Sequence, residues 1–191
     1  MRRLALFLLA LLALAACRIG QPSKMSLAFS AYADRPVVLT RMAVNGKDFA
    51  LTPLVVRGRA DVNRPFEGAG RRLMAYPPGP VSGHMVLDLT WVELPAGTGY
   101  AARVEVPLDR LEAAVSGGVE FMPVFGPGGL LIIASDPVPK TADASATTDA
   151  ARICADRAPG ADQDFTKEPG ALPALPEALA SAKTTPAESE C

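Results

Sequence analysis

Three cysteines, a single histidine and a cluster of arginines are the residues of this 191-residue chain whose chemistry comes into question first. His84 follows Gly83 and stands two residues after Ser82. A general base needs an orienting partner and a nucleophile within reach, and no G-x-S-x-G elbow or triad frame surrounds this pair, so catalysis is not expected there. Gly68-Ala69-Gly70 is too short and wrongly placed to cradle a phosphate. One histidine and cysteines with no ligand nearby in sequence give none of the spacings that hold a metal. The reading is therefore of a chain without cofactor or metal that is not an enzyme. Arg57, Arg59, Arg64, Arg71 and Arg72 outnumber Asp61 and Glu67 in a stretch without periodicity. Guanidinium groups grip carboxylates and phosphates in pairs, which makes these five a candidate partner-binding loop; the commoner role of such arginines is to keep a long loop solvated. Cys154 and Cys191 can close an intramolecular disulfide in an oxidising compartment, stay as free thiols, or pair with another molecule.

The third cysteine ends a different kind of segment. Met1 to Cys17 reads MRRLALFLLALLALAAC: Arg2 and Arg3 form a positive head, and residues 4–16 are uncharged and dominated by Leu and Ala. A spanning helix needs about 20 apolar residues, so this run is too short to cross a bilayer and has the anatomy of a secretion signal. Leu14-Ala15-Ala16-Cys17 resembles the bacterial lipobox. The resemblance implies that the Cys17 thiol receives a diacylglycerol, that the chain is cut before it, and that the new amine is acylated. Two or three acyl chains hold a protein stably where one does not, each buried CH₂ contributing about 0.8 kcal/mol. Arg18, where the inner-membrane sorting signal would be Asp, favours the outer membrane facing the periplasm by the same resemblance. The expected divisions are a signal at 1–16, a polar tether at 17–24, a folded body at 25–138 and a tail at 139–191.

Residues 24–138 carry 11 basic and 11 acidic groups, and a neutral body gives no reason to expect nucleic acid as a partner. The body must be built from strands. Leu27, Phe29 and Ala31 alternate with smaller or more polar residues; Val37–Val44 and Lys47–Leu51 flank Asn45-Gly46, a strong hairpin signal. Pro53–Arg57 and Leu73–Tyr76 are short strands, the second on an edge. Met85, Leu87, Leu89 and Trp91 share one face of the clearest strand, with Trp91 at the centre of the expected core. It pairs through Pro95–Gly99 with Tyr100–Leu108. Asp109-Arg110-Leu111-Glu112 has capping-box spacing and Gly117 a helix-ending position, which predicts two helical turns. Val119–Phe125 and Leu130–Ser135, joined by Gly126-Pro127-Gly128-Gly129, make a third hairpin. The fold expected is all-β: an antiparallel β-sandwich, immunoglobulin-like or a partly open barrel, with one short helix. After Pro139 alanine and proline dominate and Phe165 is the sole aromatic, a composition that predicts a disordered C-terminal tail.

Met25-Ser26 leading into a strand, Arg41-Met-Ala-Val-Asn45-Gly46, Leu87-Asp-Leu-Thr-Trp91, Val104-Glu-Val-Pro107 and Phe121-Met-Pro-Val-Phe-Gly-Pro-Gly-Gly129 stand in an order that resembles a family of small bacterial lipoproteins of unknown function. Genes of that family lie near type VI secretion lipase effectors. The resemblance implies a non-enzymatic protein-binding module at the membrane, an immunity or accessory protein to a secreted toxin. The rival expectation is a structural or envelope-assembly lipoprotein that tethers a partner complex to the outer membrane.

Overall fold

The computed structural model describes residues 25–32, 35–49, 53–57, 73–75, 83–114, 118–135, 148–183 and 191. Cys17, the expected signal and tether at 1–24, and most of the arginine-rich loop lie outside the described residues. The strands assemble into two sheets. One contains β1 (Met25–Leu27), β2 (Ser30–Ala31), β6 (Leu73–Ala75), β9 (Glu112–Ala114), β10 (Gly118–Phe125), β11 (Leu130–Ser135) and β12 (Thr148–Cys154), along the path β12-β11-β10-β1-β6. The other contains β3 (Val37–Val44), β4 (Lys47–Asp48), β5 (Leu54–Val56), β7 (His84–Glu93), β8 (Thr98–Pro107) and β13 (Asp156–Arg157), along the path β13-β8-β7-β3-β4. The result is a sandwich rather than a closed barrel.

The hairpins follow from turn chemistry. Asn45 and Gly46 sit at φ 51° and 75°, the positive pair that a two-residue turn between Val44 and Lys47 demands. Gly128 and Gly129, at φ 71° and 86°, turn the chain between β10 and β11. One departure from the expected antiparallel pattern is at the start: β1 and β2 both run parallel to β10, and β1 is flanked on its other side by β6. That internal position explains why Met25, Leu27, Phe29 and Ala31 and the residues between them are all buried, where a half-exposed strand was expected.

Alternating side chains from both sheets fill the interior. Met85, Leu87, Leu89 and Trp91 of β7 meet Phe121, Phe125, Leu131 and Ile133 of the facing sheet in one cluster. Trp91 is fully buried at the centre, its ring 5.9 Å from Tyr100 and 5.1 Å from Phe125. Its indole nitrogen has no hydrogen-bond partner among the described residues.

Two expectations are corrected. The segment after Pro107 is not two turns of helix. A single 3-10 turn, Leu108–Arg110, leads straight into β9. Leu111 drops its side chain into the core, and the Glu112 N–H is bound at 2.8 Å by the Ser135 hydroxyl, so burial and a β partner prevail over local capping. The tail is not disordered over 148–183. β12 pairs with β11 from Leu130↔Cys154 to Ser135↔Thr148. At Ala155 the chain crosses to the second sheet, where β13 pairs with β8. Two 3-10 turns, Pro159–Ala161 and Phe165–Lys167, and the helix α1 (Leu175–Ser181) follow. Phe165, Leu175 and Ala178 bury against Val38, Val92 and Leu94 on the outer face of the second sheet. The one helix of the described residues is thus in the tail. Cys154 and Cys191 form a disulfide with their Cα atoms 5.6 Å apart, closing a separation of 37 residues. A loop of that length removes about 4 kcal/mol of conformational freedom from the unfolded chain.

Truncating a fully buried aromatic leaves a cavity, so Trp91→Ala is expected to lower unfolding free energy by about 3–5 kcal/mol. Trp91→Phe is expected to cost less, because it also removes the orphaned N–H. Denaturant titration followed by circular dichroism measures both.

Candidate functional site

The densest polar constellation among the described residues lies where the Gly126–Gly129 turn, the β7–β8 hairpin and the tail meet. Glu93, at the end of β7, is half-buried and accepts a hydrogen bond from the Gly129 N–H at 2.9 Å. Burial raises its carboxyl above the usual range; bonds from the Gly129 and Gly128 N–H groups and the charges of Arg35 and Arg157 oppose that rise. Tyr100 packs beside this turn so closely that a Cβ on Gly129 would lie 2.6 Å from the Tyr100 ring. Burial, followed by the Glu93 charge, pushes the Tyr100 phenol up.

The tail supplies the other half. The Arg157 guanidinium sits 5.5 Å over the Tyr100 ring and forks onto Asp162 at 2.8 and 3.1 Å. It also donates to the Gly99 carbonyl, while Asp162 accepts the Gly99 N–H at 2.7 Å. The bond from Arg157, then that from Gly99, holds the Asp162 carboxyl down at about 2. Two main-chain bonds complete the join, Ala158 N–H to Gly99 and Gln163 N–H to Gly97. Gly97 and Gly99 leave the room that this approach needs: an added Cβ would meet Gln163 or Ala158 carbonyl oxygens at 2.8 and 2.7 Å.

Carboxylate, phenol and guanidinium in one place are the ingredients of acid–base chemistry. Here, however, Glu93 is spent on the turn, and Arg157 and Asp162 on each other and on β8. The arrangement fastens the tail onto the end of the sandwich.

The residues singled out from the sequence are scattered. Cys17, Arg59, Arg64, Arg71 and Arg72 lie outside the described residues. Arg57 is exposed and pairs with Glu177 of α1, a surface contact worth about 0–1 kcal/mol. His84 is exposed at the start of β7, opposite Pro107. Cys154 and Cys191 are joined. No group of three or more His, Cys, Asp or Glu side chains among the described residues is placed to hold a metal ion. Glu93, Tyr100, Arg157 and Asp162 were given no site role from the sequence because they come from β7, β8, β13 and the end of the Pro159–Ala161 turn; the Asp162 and Arg157 spacing alone carries no signal. Comparison with protein-family models, with curated proteins and with solved structures finds no match for this chain.

The two carboxylates give opposite pH signatures. Asp162, depressed to about 2 from an ordinary value of 3.8, stabilises the fold above pH 3.8, and that contribution is lost as the pH falls toward 2. Asp162→Asn is therefore expected to lower the unfolding midpoint at pH 7, with the difference from the parent chain closing below pH 3.8. Glu93, raised above 4.5, opposes folding while ionised, so the parent chain gains stability relative to Glu93→Gln as the pH falls through the raised value toward 4.5. Thermal unfolding of the three proteins across pH 2–8 checks both signs.

Proposed function

We propose that this chain is an exported bacterial lipoprotein, anchored through acylated Cys17 at the outer membrane, whose sandwich serves as a non-enzymatic protein-binding module on the periplasmic face. The observation that carries the proposal is the short apolar run closing on Leu14-Ala15-Ala16-Cys17. The Cys154–Cys191 disulfide supports it independently, because such bonds persist in oxidising compartments and are rare in reducing ones. Among the described residues no helix is long and apolar enough to cross a membrane. Seven residues, Arg18 to Lys24, separate the anchor from β1, a reach of about 25 Å when extended. The body therefore works close to the bilayer and meets partners that arrive there.

The lipoprotein resemblance gives the partner class: a secreted lipase toxin, which the module would bind and block as an immunity protein. Arg59, Arg64, Arg71 and Arg72, with Arg57 at the base of their loop, are the groups offered to an acidic patch on that partner.

Two measurements test the proposal. Intact mass of membrane-extracted protein is expected to show a chain beginning at Cys17 with fatty-acyl additions, and Cys17→Ser is expected to abolish them and release the protein from membranes. Where a lipase effector is encoded beside this gene, cells producing it are expected to survive when the chain is co-expressed. Survival equal to that with an empty vector would remove the immunity role, and recovery of secretion-apparatus or cell-wall components in a pull-down would replace it with the tethering role.

A further inference from the structure

The C-terminal segment changes character at Gln163. Up to that residue the segment is stitched to the sandwich by main-chain bonds: the β13–β8 ladder, Ala158 to Gly99 and Gln163 to Gly97. Beyond it, among the described residues, the main-chain hydrogen bonds of residues 164–183 close on the segment itself: Lys167 to Asp164, Glu168 to Phe165, Ala171 to Glu168, Leu175 to Leu172, Ala178 to Ala174 and Ala182 to Leu179. Among the contacts that join this stretch to the body are the burial of Phe165, Leu175 and Ala178, the exposed Arg57–Glu177 pair and a bond from Arg35 to the Lys183 carbonyl. Apolar contact is not directional, and exposed ion pairs are weak. A covalent attachment lies at the far end, where Cys191 is bonded to Cys154. Both cysteines are exposed. The segment is therefore a strap, hinged at Gln163 and fastened at its end.

We infer that the Cys154–Cys191 disulfide is a redox-operated clasp: exchange with a dithiol reductant frees residues 164–183 and bares the apolar strip of Val38, Val92 and Leu94 that the strap covers. A thiolate of the reductant attacks one sulfur of the pair, breaking the S–S bond and forming a mixed disulfide. The second thiol of the reductant then resolves it. Two electrons and two protons pass to the chain, which is left with thiols at 154 and 191, and the reductant leaves as a disulfide. Exposure is what admits the attacking thiolate, and exposed disulfides are the labile ones. Freed of the bond, the strap is joined covalently to the body through Gln163 alone, and the effective concentration of its far end at the sheet falls. The half-buried Val55 extends the bared strip, and Arg57 is released from Glu177 at its border. The clasp depends neither on acylation of Cys17 nor on a toxin partner.

The test uses the full chain purified in detergent, compared as isolated, after tris(2-carboxyethyl)phosphine under native conditions, and as Cys191→Ser. Hydroxyl-radical footprinting reads side-chain exposure directly, with Phe165 and Leu175 reporting on the strap and Trp91, Met42 and Met85 on the interior. Reduction is expected to allow alkylation of both Cys154 and Cys191 without denaturant. Labelling of Phe165 and Leu175 should then rise on the order of tenfold while the interior reporters stay unchanged. Cys191→Ser should match the reduced protein; if it fails to fold, reduction of the folded parent decides alone. Three results would overturn the clasp: a disulfide that resists the phosphine until the protein unfolds, strap labelling unchanged after reduction, or strap and interior labelling that rise together.

Discussion

The second sheet carries apolar side chains on both faces, and the rest of the structure answers to that fact. A sheet in a sandwich buries one face against its partner. β3 and β7 do so through Leu39, Met42, Leu89 and Trp91. Val38, Val92 and Leu94 face the other way and are still buried, at no more than 3% exposure. Burying a side chain of this size is worth about 1.5–3 kcal/mol, so a sheet that turns three of them outward is more stable covered than bare. The tail supplies the missing cover. The price is paid in chain: some twenty residues past Gln163 are ordered to place three apolar anchors.

Placing that cover requires the chain to leave one sheet and reach the other. β12 extends the first sheet, Ala155 is bound to the Gly129 carbonyl at 2.9 Å, and β13 joins β8 from the next residue. The knot around Tyr100 secures the crossing. Its ring lies between the Trp91 core and the Arg157 guanidinium, so interior packing and surface pairing meet on one side chain. This makes the body a unit whose two sheets are joined by packing and by a strand crossover, with a disulfide closing the end of the tail onto β12.

Local chemistry announced the hairpins plainly. Asn45-Gly46 and the Gly126–Gly129 turn require positive φ, and few other arrangements satisfy them between apolar strands. The alternation in β7 placed Trp91 correctly. Where sequence reasoning failed, it had averaged over what is particular. The tail is poor in large apolar residues by composition, yet Phe165, Leu175 and Ala178 are spaced to meet one strip of sheet, and TDAARIC from Thr148 to Cys154 has a buried Ala150 amid exposed or half-buried neighbours. The signal was available on the partner surface: Val38 and Val92 occupy outward positions of strands that otherwise alternate, and an outward apolar pair needs something to cover it. The helix expected after Asp109 failed for the converse reason, since capping spacing is a local preference and Leu111 had a place in the core. The Glu93, Tyr100 and Arg157 cluster was out of reach because Arg157 reaches the β7–β8 hairpin only after the crossover forms.

The direct measurement of this account is a double-mutant cycle between the sheet and the strap, using Val92→Ala, Leu175→Ala and the pair, with unfolding free energies from denaturant titration of the oxidised protein. Both residues belong to one buried cluster, so a coupling of about 0.5–3 kcal/mol is predicted. Strictly additive losses would mean that the tail does not cover the sheet, and would contradict the account.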